Sequence, residues 1–187
     1  MRAIAELERT RAGLLQIGSV VSVDLSDPTA PRAVVRLDGV DSAPLPWLTW
    51  RAGNNRAFAA PSVGEQVVIA CPNGDPGNGL ILGALYCADA PAPANTDTVT
   101  RLQFEDGAVL DYDTEAHALR ASLPDGGTAE ITAPGGITLT GDVTIEGDVT
   151  VAGNVDADGD VKAGAISLSG HAHGGVQTGA GVTGQPQ

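Results

Sequence analysis

In the last third of the chain, apolar and polar residues alternate in a fixed frame. Glycines 141, 147, 153 and 159 recur every six residues. Val143, Val149, Val155 and Val161 each lie two places after a glycine, and Ile145, Val151, Ala157 and Ala163 each lie four after it. The positions between them carry Asp142, Thr144, Glu146, Asp148, Thr150, Asp156, Asp158, Asp160 and Lys162. This period of two predicts extended backbone with one oily face and one polar face. Ile137 and Leu139 share the phase, and the inward residues shrink from Ile145 and Val151 to Ala157 and Ala163, which implies a tapering core. Past Gly164 the apolar phase moves to Ile166 and Leu168, which predicts a bulge or bend.

The first half has a different grammar. Residues 1–13 read as a short N-terminal helix, with Ile4 and Leu7 one turn apart and Gly13 as its stop. Over 14–87 the pattern is of short strands. Leu15, Ile17, Val21, Val23 and Leu25 are expected on one face of the first. "RAVVRL", ending at Asp38-Gly39, is a second, and "EQVVIA" and "GLILGALY" follow on either side of the turn-rich "CPNGDPGNG". Several short strands with no long helical pattern point to a small barrel of the oligonucleotide/oligosaccharide-binding (OB) type. "ADAPAPANTD" reads as a stiff linker within 88–99, and further short strands open the segment 100–168 around Asp106-Gly107 and Thr114.

Charge separates the halves. The net charge is −13, and residues 91–187 hold only Arg101, Arg120 and Lys162 as fixed cations against fourteen acids. Such a surface is repelled by phosphate backbones, so nucleic acid is not expected as a partner. The last aromatic is Tyr112, so the remaining 75 residues have no Phe, Tyr or Trp with which to build a core. The start, "MRAIAELERTRAGLL", lacks the apolar stretch of a signal peptide, so synthesis in the cytoplasm without one is expected. Cys71 and Cys87 fit no metal or redox motif and read as buried free thiols.

A ribbon with one oily face must bury it. An acidic disordered tail would not hold valines in phase through four repeats. A single-chain left-handed β-helix, as in hexapeptide-repeat acyltransferases, needs about three coils, and four hexads make little more than one. Identical copies wound about one axis bury every inward residue, and the reading favoured here is a homotrimeric intertwined β-helix.

That arrangement gives meaning to "SGHAHGGV". His171 and His173 are two of the chain's three histidines, and in extended backbone they project side by side. On a threefold axis, three such pairs converge as six nitrogen donors, an octahedral set. Structural zinc prefers four ligands, while imidazole suits iron, nickel and copper as well. Octahedral nitrogen coordination favours iron or nickel, and availability favours iron. Two solvent-exposed histidines are the competing reading. Such a site has no open position and would be structural, and acid would release its metal. His117 stands alone and reads as exposed or hydrogen-bonded. No nucleophile–base pair or phosphate loop is present, so no enzymatic activity is expected. Trp47, Trp50 and Phe58 could stack bases in a nucleic-acid module, but the first half has no lysine, and a subunit or domain contact is the better expectation.

"LPWLTWRAG" (45–53), "PSVGEQVVI" (61–69), "GLILGALY" (79–86) and "GHAHGGVQTG" followed by "TGQPQ" resemble, in that order, the phage baseplate assembly protein V family. These are central spikes of contractile tails, similar to those of P2-like phages and R-type pyocins. The resemblance implies an all-β homotrimer: an OB-fold barrel, a β-helical shaft and an apex at 169–187. There an HxH pair from each chain, matched here by His171 and His173, holds an iron ion. It also implies possible calcium or chloride in the shaft, and as partners the tail tube, the tail hub and other baseplate proteins. The implied location is the virion tail baseplate or a pyocin particle, and the implied task is to cap the tube and pierce the bacterial outer membrane when the sheath contracts. A type VI secretion spike is the alternative within the same physics.

Overall fold

A computed structural model describes residues 13–171 and Gly179. The helix expected over 1–13 lies outside the described residues, apart from Gly13. The described chain is all-β, with two single-turn 3-10 segments and no α-helix. It divides into two compact units, residues 1–129 and 130–187.

The first unit opens with a five-stranded antiparallel sheet in the order β3-β2-β1-β4-β5. Its strands are β1 (Leu15–Asp24), β2 (Arg32–Leu37), β3 (Val40–Asp41), β4 (Gln66–Ala70) and β5 (Leu80–Ala84). Asp38 and Gly39 both have positive φ, 48° and 84°, and make the tight β2–β3 hairpin that an Asp-Gly pair favours. The segment after β3 closes the sheet on itself. Leu45 exchanges backbone hydrogen bonds with Ala33 at 2.8 and 2.9 Å, and Leu48 N–H donates to the Ile81 carbonyl at 3.0 Å. Trp47 thereby bridges to Ile81 across the opposite edge. The enclosed core is Val20, Ala33, Val35, Leu37, Leu45, Val67, Ile69, Cys71 and Ile81, with Val23 and Trp47 packed against it.

β1 corrects one expectation. Leu15 and Ile17 face outward, and Gly18 and Val20 face the core. The register against β2 slips between Val20 and Ser22, and this bulge at Val21 resets the phase so that Val23 also packs inward. Gly18 is fixed by crowding: a Cβ there would lie 2.5 Å from the Arg36 carbonyl oxygen. Cys71 is buried as expected, and burial pushes its thiol above the ordinary range. Cys87, expected buried, is only half-buried in the segment after β5, and both thiols are free.

A meander of β6 (Val99–Gln103), β7 (Val109–Asp113) and β8 (Ala118–Ser122) completes this unit. Register places Leu102, Leu110 and Ala121 in one row and Thr100, Tyr112 and Leu119 in the next, on the same face. Leu102, Leu110, Tyr112 and Leu119 are exposed. On the other face Arg101 Nη2 donates to Asp111 Oδ2 at 2.6 Å, and Arg101 Nη1 donates to the Pro93 carbonyl at 3.2 Å. The hydrogen bond to Pro93 ties the Pro-rich segment to the meander. Asp111 is buried, and Arg120 lies in register beside it.

The second unit is built otherwise. From 130 to 161 no residue belongs to a strand or helix, and residues 137–160 form no backbone–backbone hydrogen bond among the described residues. Bends recur at 146–147, 152–153 and 158–159, in step with the hexad glycines. All the inward-phase Val, Ile and Leu side chains from Ile137 to Val161 are exposed, from 45% at Val161 to 71% at Leu139. Regular backbone resumes in β9 (Lys162–Ala163) and β10 (Ile166–Ser167), a hairpin turned by Gly164, at φ 61°, and Ala165. The phase change expected as a bulge or bend is therefore a full reversal of the chain.

Candidate metal-binding apex

The hairpin determines where the first candidate ligand stands. Ala163 pairs with Ile166 and Lys162 with Ser167, and Leu168 N–H donates to the Val161 carbonyl at 2.8 Å. One step further, the same register brings Ser169 to Asp160. Asp160 Oδ1 accepts from Ser169 Oγ at 2.8 Å, from Ser167 Oγ at 2.9 Å and from Ser169 N–H at 3.2 Å. The Ser169 hydroxyl, then the Ser167 hydroxyl and the Ser169 amide, hold this carboxyl below its usual range. Ser167 Oγ also accepts from Gly170 N–H at 2.9 Å. The chain then makes a single turn, in which His171 N–H donates to the Ser167 carbonyl at 3.1 Å.

The His171 ring returns to the same carbonyls. Its Nδ1 lies 2.9 Å from Ser167 O and 3.2 Å from Leu168 O. A carbonyl oxygen can only accept, so Nδ1 carries the proton and the neutral ring has its lone pair on Nε2. Metal-bound imidazoles are commonly arranged this way, with the second nitrogen donating to a backbone carbonyl. The donor chemistry at His171 therefore fits a metal. His173 and the remainder of the expected apex, except Gly179, lie outside the described residues. Among the described residues of one chain, no three His, Cys, Asp or Glu side chains gather into a metal-binding group.

The other candidates are dispersed. His117 is exposed, at φ 51°, in the β7–β8 turn. Trp47 packs on the barrel core, whereas Trp50 and Phe58 are exposed on the loop beyond it. That loop contributes to a shallow depression of about 430 Å³ in which Arg32, Arg51 and Arg56 gather with Trp47 and Phe58. The contribution of Asp160, Ser167 and Ser169 was not anticipated from sequence. The signal was present: a two-residue turn centred on Gly164-Ala165 pairs 160 with 169, and serines two apart share a strand face.

Residues 16–86 match the type VI secretion system/phage-baseplate injector OB domain, and residues 165–187 match the GpV apex motif. This chain carries the OB domain and the apex of the phage baseplate V family. The OB match coincides with the closed barrel, from the start of β1 to just past β5. The apex match begins at the second residue of the β9–β10 turn. The chain is also 37% identical over 134 residues to the spike protein of Escherichia phage P2. That stretch covers 72% of this chain and 61% of the relative, so the match spans about three fifths of the relative's length.

Proposed function

We propose that this chain is the structural subunit of a central spike in a contractile phage tail, with no catalytic role. Three copies wind residues 100–168 into a shared β-helical shaft. His171 and His173 of each copy surround one iron ion at the tip. The assembly caps the tail tube, sits in the virion baseplate and pierces the outer membrane when the sheath contracts. Trp50 and Phe58, exposed beside Arg51 and Arg56, give the barrel an apolar and positively charged surface for baseplate partners.

The observation that carries this reading is the state of the hexads in a single chain. Their Val and Ile side chains are exposed and their backbone groups do not bond one another. A chain coiled on itself, as in an acyltransferase solenoid, would cover both. Three of the four hexad glycines point the same way; Gly141, at φ 121°, has a conformational reason of its own. Gly147, Gly153 and Gly159 have no positive φ, and a Cβ on any of them would meet nothing within 4 Å. Nothing in the chain's own conformation requires glycine there; a second backbone passing closely would. Interleaved copies supply that backbone, satisfy the open hydrogen bonds and dry the oily face. A rod so made has no part that unfolds alone, which suits an object driven through a membrane, and six imidazoles on one ion would pin its ends.

The injector OB family includes type VI secretion components as well as phage baseplates. The relative in phage P2 favours the phage tail. The test is native mass combined with elemental analysis of the full chain. Three chains of 18.8 kDa with about one iron per assembly are expected. A species of one chain's mass, or metal content unchanged by replacing both His171 and His173 with Ala, would refute the corresponding half of the proposal.

A further inference from the structure

We infer that Asp160 is a positioning residue for His171: through Ser167 and Ser169 it fixes the turn whose carbonyls hold the imidazole proton on Nδ1, and so directs Nε2 to a metal. The inference rests on the metal reading above and concerns a residue eleven positions upstream, on the polar face of the ribbon.

The linkage is continuous. One carboxylate oxygen takes both serine hydroxyls and the Ser169 amide. Ser167 uses its hydroxyl in both directions, donating to Asp160 and accepting from Gly170 N–H. Its carbonyl receives both the backbone and the ring of His171. Removing the carboxylate frees two hydroxyls and an amide at the base of the turn. The Ser167 carbonyl is then held only by the strand pairing with Lys162 and the contacts of the turn itself, so it is less firmly directed and the ring exchanges tautomers more readily. A bond made by Nε2 requires the proton to stay on Nδ1, so loss of this preference weakens the ligand without removing it.

Asp160 also differs from its equivalents. Asp142 and Asp148 occupy the same place in earlier hexads, directly after the glycine, but have no returning strand to receive serine donors. A carboxylate on the outer face is accounted for by solubility at those two positions. At Asp160 the three short hydrogen bonds add a second use.

The experiment compares full-length wild type with Asp160→Ala, Asp160→Asn, Ser167→Ala and Asp148→Ala. It measures iron per assembly, the rate of iron loss to a chelator, native mass, and the His171 tautomer from the nitrogen-15 shifts of the metal-free protein. Asp160→Ala is expected to weaken iron retention about 10- to 100-fold, the usual consequence of removing a residue behind a metal ligand. Native mass should stay that of wild type, and the tautomer should shift from Nδ1–H toward a mixture. Asn keeps an acceptor oxygen at the same place, so Asp160→Asn should recover most of the retention. Ser167→Ala should behave like Asp160→Ala, and it serves if that variant fails to assemble. Asp148→Ala should match wild type. Wild-type iron retention and an unchanged tautomer in Asp160→Ala, or equal losses in Asp160→Ala and Asp148→Ala, would overturn the inference. If wild type itself binds no iron, the metal reading fails separately, and the tautomer measurement alone decides whether Asp160 orients the ring.

Discussion

The barrel and the ribbon use the same kinds of residue to opposite ends. Both are rich in valine placed at alternate positions, yet Val35 and Ile69 are wholly buried while Val143, Ile145 and Val149 stand in the open. The difference is where each strand finds its neighbour. In the barrel, turns such as Asp38-Gly39 send the chain back onto itself, and the 45–47 segment closes the sheet. Between 137 and 160 no turn reverses the chain, so the hexads' backbone groups do not bond one another and their oily side chains stay uncovered. A period-two pattern therefore specifies a face but not its partner. Reversals decide whether that partner lies within the same chain.

The severest test of this contrast places charge on the ribbon's inner face. Replacing Ile145 and Val151 together with Asp should abolish association, reducing native mass to one chain, because buried carboxylates without partners are among the costliest changes available. The barrel should keep its near-ultraviolet circular dichroism from Trp47. An assembly that survives would show that the oily face is not what copies share. Next comes Ile69→Ala, which opens a cavity in the closed core. It should cost the barrel about 2–5 kcal/mol in denaturant unfolding and leave subunit number unchanged.

A pair of glycine changes sharpens the comparison further. Gly18→Ala forces a Cβ against the Arg36 carbonyl within its own chain and should destabilise the barrel by about 1–3 kcal/mol at any protein concentration. Gly153→Ala meets nothing in its own chain. Its effect should appear only in the assembled state, as easier dissociation on dilution. The smallest effect is expected at the barrel's rim. The Arg36 hydrogen bonds hold the Asp41 carboxyl below its usual range, so what they contribute is present above that range and is lost only as pH falls through the lowered value. Asp41→Asn should change unfolding at neutral pH by less than any of the others, since the pair is exposed.

How much of this was legible depended on how local the cause was. The β2–β3 turn, β4, β5 and the Asp106-Gly107 turn follow from short-range chemistry and stand where the sequence pattern predicts them. The inward face of β1 does not. Val20 and Val21 adjoin, and nothing in the string says which is the bulge until Val35 and Val34 fix the register opposite. His171 stands out in the sequence as a candidate ligand by its chemistry and spacing. Asp160 does not, because its importance arises only when Gly164 folds the chain back and carries two serines to it. Long-range hydrogen bonds made by common polar residues leave little trace in composition.

The hexad frame carries a consequence for inheritance. Because each six-residue block repeats the same inward and outward pattern, a whole block can be gained or lost without disturbing those before and after it. Losing an odd number of residues would move every later valine to the opposite face of the ribbon. The number of blocks can thus change by small, repeatable steps in the gene, leaving the barrel sequence before them and the histidines after them untouched.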